Sequence, residues 1–408
     1  MALSPSQHRA MEVANDPPPP PRRKQRQDHA TATVAEPSIS ELPSHLTCDI
    51  LSRLPLKSIF SCKLVCSSFR NLTLQPHFPQ LHLPRSSLSL ILFCRSDSRH
   101  PSAFGFLPLA DSLEALRCRR ATMKFETKPE ILDDRLLLTM VSSCNGLVCL
   151  ANRFCSDTVY IYNPVTRQHF LLPKPKNEPR FWNLRQHFVY GYGFGYSQST
   201  DLFKVVKFTV KRNEQSPRLH FCVYTLGVDD EWSNLGDTRQ PLPYNSPFVF
   251  LNGALHWIGS EGSRLLLCFF DMEKEQCGNL PLPTLSEVPL QSKVTRFHLG
   301  VVDNCLYIRD EQKSGLPINI WVMKDYENIG SWTLEWSIQR QLPSWLGLDL
   351  KPLKTLKDGT VLMTVKEKTL ASYNPVTKLF ERVSYHGVHS WEESIADVPS
   401  FLPLPGAL

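Results

Sequence analysis

Apolar residues recur at helical spacing in one short stretch near the start of the chain. In residues 46–54 they fall at i, i+4, i+5 and i+8, one face of a helix, and Pro55 ends that helix. Residues 56–60 predict a short second turn. Residues 62–69 carry apolar side chains at i, i+3, i+4 and i+7, and Pro76 stops this third helix. The pattern predicts a compact module of three helices.

This helical module has more apolar positions than one small internal core needs. A module of about forty residues buries too little surface to be comfortably stable alone. It therefore either caps the next domain or completes itself against a partner. The surplus of apolar positions favours a protein interface, with a plain helical cap as the alternative.

From about residue 88 the pattern changes to short apolar, β-branched or aromatic runs separated by Gly, Asn, Asp and Pro. Such runs predict many short strands joined by tight turns. Residues 111–120 alone suggest a short helix. The clearest strand candidates are residues 88–93, 158–162, 203–210, 221–226, 265–270, 318–323 and 360–365.

Two patterns repeat within this strand-rich region. The pentapeptide Tyr-Asn-Pro-Val-Thr occurs at residues 162–166 and 373–377. A turn followed by an apolar strand begins at Asn145, Asn252, Asp303 and Asp358. The last three starts are 51 and 55 residues apart. A period near fifty with four short strands per unit predicts propeller blades, because a closed ring of blades buries sheet faces that one blade cannot bury.

The expected fold class is α+β and multidomain, with a small three-helix module followed by a mainly β, propeller-like domain. About twenty-two strand candidates predict about six four-stranded blades. We expect ring closure through pairing of residues 380–383 with residues 88–93; an open sandwich or two smaller β domains is the alternative. The expected divisions are a Pro-rich, basic tail at 1–37, the helical module at 38–84, the β domain at 85–400 and a tail at 401–408.

Five short motifs lie in the helical module. They are Leu-Pro at 42–43, I-L-S-R-L-P at 50–55, Leu-Lys-Ser at 56–58, V-C-x-x-F-R at 65–70 and P-H-F at 76–78. Together they resemble an F-box, the module that docks onto the Skp adaptor of SCF ubiquitin ligases. Phe69 stands where the family usually has Trp, and Ser67 where Lys is common. Because an aromatic side chain remains at Phe69, the resemblance implies that docking is retained.

The β domain carries its own ordered motifs. They are S-C-N-G-L-V at 143–148, the Tyr-Asn-Pro-Val-Thr segment, G-F-G-Y at 193–196, F-K-V-V at 203–206 and N-G-A-L-H-W at 252–257. In this order they resemble the F-box-associated interaction domain of plant F-box proteins, which is related to Kelch-type propellers. The double glycine of Kelch blades is missing.

The two resemblances imply a substrate-recognition subunit of an SCF-type E3 ubiquitin ligase, without catalytic residues of its own. The F-box would bind the Skp-type adaptor, and through it the cullin and the RING subunit. The β domain would hold an unknown protein substrate, with residues 181–187, 240–247 and 310–317 as candidate loops. The residues expected to bind the adaptor are Leu42, Pro43, Ile50, Leu54, Leu56, Val65, Cys66 and Phe69. A non-ligase scaffold and a propeller enzyme are the alternatives.

Composition limits the classes of partner. The net charge of +6 is spread along the chain, whereas a nucleic-acid binder usually clusters its cations on one face. Residues 22–26 are a tight basic cluster, interpreted as a solvated charge run, with a nuclear-import patch as the alternative. No apolar run is long enough to span a membrane, and no signal core stands at the N-terminus. We expect neither nucleic acid nor membrane as a partner, and a cytoplasmic or nuclear location.

Candidate chemistry is sparse. Twelve cysteines are scattered without a C-x-x-C pair, which predicts free thiols in a reducing compartment. The glycines of residues 191–195 have no following helix to hold a phosphate, so we expect a glycine-rich strand there. His256 is expected in the core, and His386 and His389 lack further clustered metal ligands. We therefore expect no metal site and no cofactor.

Overall fold

The computed structural model describes most of the chain from Leu42 onward. The chain divides into two compact units, Met1–Leu42 and Pro43–Leu408, and every element below belongs to the second. The proposed N-terminal tail, the basic cluster at 22–26, His386 and His389 lie outside the described residues. The described ranges are 42–94, 103–118, 123–126, 138–152, 158–176, 187–212, 217–244, 247–261, 264–280, 282–283, 296–311, 316–326, 328–339, 342–347, 349–366, 369–384, 391 and 393–405.

Helices open the second unit. They are α1 at Ser44–Ser52, α2 at Leu56–Val65, α3 at Ser67–Thr73 and α4 at Phe78–His82, followed by a 3-10 turn at Leu83–Arg85. Pro43 precedes α1, and its carbonyl accepts the N–H of Leu46 at 3.0 Å and that of Thr47 at 3.1 Å. The α1 helix therefore begins where proline, which has no N–H of its own, costs nothing.

The single helix predicted over residues 62–69 is wrong, because the backbone is extended at Cys66 (φ −154°, ψ 162°). The Cys66 Sγ accepts the N–H of Phe69 at 3.5 Å and so caps α3. Apolar spacing continues across this break, which hid it from the periodicity. A further helix, α4, follows Pro76. The sequence pattern did not predict it, because its five residues are too few to show a helical period.

The strands form six sheets in the described ranges. They are β1 Ser89–Cys94, β2 Ala103–Pro108 and β3 Met123–Glu126 in blade 1; β4 Leu138–Cys144, β5 Leu147–Asn152, β6 Val159–Asn163 and β7 Gln168–Leu171 in blade 2; β8 His187–Ser197, β9 Leu202–Arg212, β10 Pro217–Thr225 and β11 Ser233–Thr238 in blade 3; β12 Leu242–Pro243, β13 Val249–Leu251, β14 Ala254–Glu261, β15 Arg264–Asp271 and β16 Gln276–Leu280 in blade 4; β17 Arg296–Val302, β18 Cys305–Glu311, β19 Ile318–Met323 and β20 Trp332–Ile338 in blade 5; β21 Leu350–Thr355, β22 Val361–Val365, β23 Thr369–Asn374 and β24 Leu379–Arg382 in blade 6. Helix α5, Leu113–Cys118, lies within residues 111–120, where the sequence suggests a short helix.

The ring closes through a strand that the sequence pattern did not indicate. Strand β25, Glu393–Asp397, pairs antiparallel with β1, with Ser89 opposite Asp397 and Leu92 opposite Ser394. The closing strand predicted at 380–383 is instead β24, the outer strand of blade 6. An outer strand cannot close the ring, since closure needs a strand on the inner side of blade 1. The six-bladed, mainly β propeller is nevertheless confirmed.

The repeated turns join the first and second strands of blades 2, 5 and 6, and they join β13 to β14 in blade 4. Both turn residues have positive φ at Asn145–Gly146 (51° and 80°), Asn252–Gly253 (49° and 76°) and Asp303–Asn304 (48° and 58°). Asn, Asp and Gly tolerate this left-handed backbone best, and paired positive φ values match the twist of a two-residue hairpin. The turn motif is therefore a true structural repeat of the ring.

Each junction between neighbouring blades encloses an apolar cluster. Leu90 and Leu92 of blade 1 pack with Leu362 and Leu370 of blade 6, so the last junction is filled like the others. The cluster between blades 1 and 2 is larger, because it also contains residues of the helices and Phe401. The helices thus share one core with the ring, and the residue range 401–405 is not a free tail.

The glycines of residues 191–195 lie in β8, as predicted, and permit close packing. A Cβ at Gly193 would lie 2.4 Å from a side-chain atom of Leu255, and a Cβ at Gly195 would lie 2.4 Å from Phe250. His256 is fully buried, and its Nε2 is 2.8 Å from the Tyr326 hydroxyl, so its predicted place in the core is confirmed.

Candidate functional site

Helix α1 buries one face and exposes the other. Cys48 and Leu51 lie in the shared core, whereas Leu46 and Ile50 are 45% and 38% exposed. Leu46 and Ile50 are four residues apart and therefore neighbours on the helix surface. An apolar pair left in water on so small a module favours a partner that covers it.

Further exposed apolar side chains lie on the following helices. Leu64 and Val65, in the last turn of α2, are 81% and 71% exposed, and Leu74, just after α3, is 67% exposed. We call Leu46, Ile50, Leu64, Val65 and Leu74 the exposed apolar set. Six of the fourteen exposed large hydrophobic residues in the described ranges lie within residues 42–74, the set and Leu42.

The structure sorts the residues predicted to bind the adaptor into two groups. Exposed members are Leu42, Pro43, Ile50 and Val65. Leu54, Leu56 and Cys66 are partly buried against the shared core, and Phe69 is a member of that core with 9% of its surface exposed. The second group can influence docking mainly by holding the helices in place.

Sequence reasoning did not select Leu46, Leu64 or Leu74 as candidate contacts. Leu46 lay in the helical pattern that was recognised, but a period shows which residues share a face and not whether that face is covered. Leu64 and Leu74 lie at helix ends, close to Val65 and Leu72. Those neighbours already fit the apolar pattern, so the pattern gives no separate signal for Leu64 or Leu74. Only tertiary packing separates these exposed residues from Leu51 or Leu72.

The segment 398–405 after β25 crosses from the ring to the helices, and we call it the C-terminal strap. Its Phe401 ring centroid lies 5.5 Å from that of Phe78, 5.8 Å from that of Phe60 and 5.1 Å from that of His82. The Lys63 Nζ lies 5.4 Å from the centroid of the Phe401 ring. Such aromatic and cation–π contacts add to the burial of the ring. One side chain of the strap thus meets α2 and α4.

Blade 2 holds the strap by hydrogen bonds. The Asn163 Nδ2 donates to the carbonyls of Leu402 at 2.8 Å and Ser400 at 3.2 Å. The Ser400 Oγ donates to the carbonyl of Asn145 at 2.6 Å. A Cβ at Gly146 would lie 2.6 Å from the Ser400 backbone nitrogen, so the strap fits only against glycine at that turn.

The two Tyr-Asn-Pro-Val-Thr copies share a turn but not this role. In both, the Asn Oδ1 accepts the N–H of the residue two positions later, at 2.8 Å for Asn163 and at 3.0 Å for Asn374. Asn163 is fully buried beneath the strap, whereas Asn374 is half-buried at the start of its turn. The pentapeptide therefore encodes an Asx turn, and its position in the ring decides its additional contact.

His82 lies in the shared core beside the strap and is only 2% exposed. Burial lowers the pKa of His82 to about 4. Its ring stacks on Phe78 with centroids 5.9 Å apart. The packing between helices and strap therefore contains a neutral imidazole that disfavours protonation.

Charged residues tie α1 to the chain that leads into blade 1. The Asp49 carboxylate lies 3.0 Å from the Arg53 guanidinium and 2.7 Å from that of Arg85. Hydrogen bonds from Arg53 and Arg85 hold the pKa of Asp49 below its ordinary value. A cleft of about 190 Å³ beside them is lined by residues 53–57, His82, residues 85–87, three residues of blade 1 and Pro399.

The two ends of the ring differ in what they carry. We count β25 as the first strand of blade 1, and β12 with β13 as the first of blade 4. Hairpins after the first and third strands then lie at one end, where the Asn145–Gly146 turn meets the strap and where the helices enter β1. Connections after the second and fourth strands lie at the other, which we call the far end. The strands that flank residues 181–187, 240–247 and 310–317 all end at the far end.

These candidate substrate loops extend in part outside the described residues. Exposed apolar side chains in the described connections of the far end include Leu316, 48% exposed, and Trp345, 37% exposed. No group of three potential metal ligands occurs in the described part of the chain. Among the described residues, no helix is long and apolar enough to cross a membrane.

Two protein-family models match the chain. One, described as the F-box domain, matches residues 39–81, and the other, described as the F-box associated beta propeller domain, matches residues 114–385. The first therefore covers α1 to α4, and the second covers most of the ring.

Individual proteins are similar along most of their length. The F-box protein At3g07870 of Arabidopsis thaliana is 26% identical over 400 residues, covering 88% of this chain and 90% of the relative. The F-box/kelch-repeat protein At3g23880 of the same plant is 26% identical over 344 residues, covering 82% and 87%. Among solved structures, an oligogalacturonate lyase in complex with manganese aligns with a TM-score of 0.39 and 11% identity, covering 72% of this chain and 73% of that chain.

Proposed function

Because the chain belongs to the F-box proteins with an F-box associated β-propeller domain, we propose that it is the substrate-recognition subunit of an SCF-type ubiquitin ligase. F-box proteins are generally non-catalytic adaptors that join a Skp-type protein to a target. In this role the chain brings a substrate close to the ligase and so raises its effective concentration there. The proposed place of action is the cytoplasm, the nucleus or both.

The exposed apolar set carries this proposal. Its side chains lie on the same helices whose opposite faces are buried in the shared core, so no rearrangement of that core is needed to reach them. A few buried anchors usually supply most of the binding energy of an interface. We assign direct adaptor contact to Leu42, Pro43 and the exposed apolar set. Leu54, Leu56, Cys66 and Phe69 are assigned the support of those contacts.

The far end of the ring is the proposed substrate surface. The helices and the strap occupy the other end, and an adaptor bound to the helices would crowd it further. Trp345 and Leu316 are the kind of partly exposed apolar side chains that anchor a protein partner. Loops on a rigid scaffold commonly carry such binding functions.

The contact between helices and ring is proposed to fix the distance between adaptor and substrate. A shared core and a strap leave little freedom between the two, unlike a flexible linker. Substrate lysines would then be presented within a limited volume. This geometry favours transfer of ubiquitin to lysines on the side of the substrate that faces the rest of the ligase.

Affinity purification of the full chain with proteasome inhibition tests the proposal. We expect the adaptor and the cullin to co-purify, and a bound protein to accumulate when the proteasome is blocked. The double variant Leu42→Ala, Pro43→Ala should lose the adaptor while the β domain stays folded. Co-purified adaptor without cullin, and no accumulating partner, would instead indicate a non-ligase scaffold.

The substrate surface has its own test. The double variant Leu316→Ala, Trp345→Ala should lose the accumulating partner and keep the adaptor. Undiminished recovery of that partner would remove the far end from the proposal and leave adaptor binding intact. Comparison of the two double variants therefore separates the two halves of the function.

A further inference from the structure

Three side chains on blade 3 form a hydrogen-bonded series that adaptor docking does not use. The His220 Nδ1 lies 2.7 Å from the Asp237 Oδ1, and the His220 Nε2 lies 3.5 Å from the Cys222 Sγ. A thiol, an imidazole and a carboxylate in this order can activate the thiol as a nucleophile.

Strand geometry explains how these residues meet. His220 and Cys222 are two positions apart on β10 and so point to the same face. Asp237 is the cross-strand partner of His220 on β11, and Cys222 is opposite Asn234. The extra residue between these pairs forms a bulge at Leu235, next to Gly236 with φ 89°. Directly opposite residues of an antiparallel pair share a face, so Asp237 lies on the face of His220.

Burial and hydrogen bonding fix the imidazole for this task. His220 is 8% exposed, while the Asp237 side chain is 31% exposed and Cys222 is partly exposed. When the Nδ1–H donates to Asp237, the Nε2 lone pair faces the thiol and can accept its proton. The thiol itself stays within reach of a small molecule.

Two basic residues share this face of blade 3 with Cys222. Lys207 lies directly opposite Cys222 on β9, and Arg218 precedes His220 by two positions on the same face. Lys207 is fully buried, with its Nζ 5.9 Å from the Tyr192 ring centroid. The Lys207 ammonium thus lies toward Tyr192 of β8, and activation of the Cys222 thiol depends on His220.

Burial makes several other thiols of the described chain harder to ionise. Burial raises the pKa values of Cys149, Cys268 and Cys277 to about 12. Burial also raises the pKa of Cys305, although that residue is partly exposed. Cys305, also partly exposed, has no hydrogen-bonded histidine among the described residues and so serves as the comparison thiol.

We propose that Cys222 is a nucleophilic modification site for small α,β-unsaturated carbonyl compounds, with His220 as its base and Asp237 as the residue that positions His220. His220 takes the thiol proton, and the sulfur forms a bond to the β carbon as the carbon–carbon π bond breaks. The α carbon then receives the proton from His220. The addition balances without an oxidant or a leaving group, and it needs only the groups that the three residues supply.

Alkylation of the intact chain with N-ethylmaleimide, followed by peptide mass spectrometry, tests the site. We expect Cys222 to react at least about tenfold faster than Cys305 near neutral pH, because His220 can accept its proton. Its rate should depend less on pH than that of Cys305, because His220 assists removal of the thiol proton. Equal rates with parallel pH profiles would overturn the proposal.

Two variants assign the roles of the neighbouring residues. His220→Gln should slow alkylation of Cys222 by about tenfold or more and move its pH profile toward that of an ordinary thiol. Asp237→Asn, at the exposed outer strand, should preserve the fold and produce a smaller shift in the same direction. If Asp237→Asn leaves the alkylation rate and pH profile of Cys222 unchanged, Asp237 does not position His220. If neither variant changes them, the proposal for Cys222 is overturned.

Discussion

Helices α1–α4 and the ring of blades both carry many apolar side chains, but they cover them differently. The ring buries its own, because each blade packs on the next and β25 closes the last junction. The helices bury one face against blades 1 and 2 and Phe401, and they leave the exposed apolar set in water. The ring is thus complete by itself, whereas the helices need the ring on one side and a partner on the other.

Phe401→Ala should produce the largest change, because it removes the strap residue that the helices share with the ring. Loss of a buried phenylalanine commonly costs about 3–5 kcal/mol. Urea unfolding measures the loss in the free energy of unfolding of the whole chain. Amide hydrogen exchange should become faster in residues 44–82 before it does in blades 3 to 5. Uniform quickening across the ring would contradict the distinction between the two regions.

Gly146→Ala should rank next. Alanine at a φ of 80° costs about 1–2 kcal/mol, and the new Cβ would also meet the strap backbone. The matched control is Gly253→Ala, at a φ of 76° with no atom within 4 Å of the new Cβ. We expect Gly146→Ala to be worse by about 1–3 kcal/mol in unfolding experiments. Equal costs would show that the strap does not press on this turn.

Asn163→Asp compares the two copies of the repeated pentapeptide. Aspartate keeps the Asx-turn acceptor but loses the Nδ2 donor to Ser400 and Leu402, which should cost about 1–3 kcal/mol. Asn374→Asp keeps its turn and should change the free energy of unfolding by less than about 0.5 kcal/mol. Similar costs at both positions would mean that the strap gains little from Asn163.

Acid should weaken the packing between helices and strap through His82. Its folded pKa of about 4 is below the ordinary 6.5, so the unfolded chain binds the proton first. This contribution is complete above about pH 6.5, and it is lost as the pH falls toward about 4, by up to about 1.4 kcal/mol per pH unit. The free energy of unfolding is measured against pH for His82→Gln and for the unchanged chain. The difference between the two curves gives the contribution of His82. Identical slopes would contradict it.

Sequence patterns predicted the ring well, because its repeats are local. The Asn-Gly turns and the Tyr-Asn-Pro-Val-Thr copies record backbone conformations that neighbouring residues alone determine. The strap and β25 were missed, since residues 393–405 have no repeat and gain their structure from partners more than two hundred positions away, such as Asn145 and Asn163. Exposure of Leu64 and Leu74 was missed for a similar reason, because only the packed structure shows what is left uncovered.

Affinity for a purified Skp-type adaptor, measured by calorimetry on the full chain, tests the central claim most directly. Ile50→Asp and Val65→Asp each place a charge within the exposed apolar set, while Leu379→Asp places one on a 65% exposed residue of blade 6. We predict that each of the first two weakens binding by at least about 2 kcal/mol and that Leu379→Asp leaves it unchanged. Undiminished affinity in Ile50→Asp and Val65→Asp, with all three variants folded, would contradict the account.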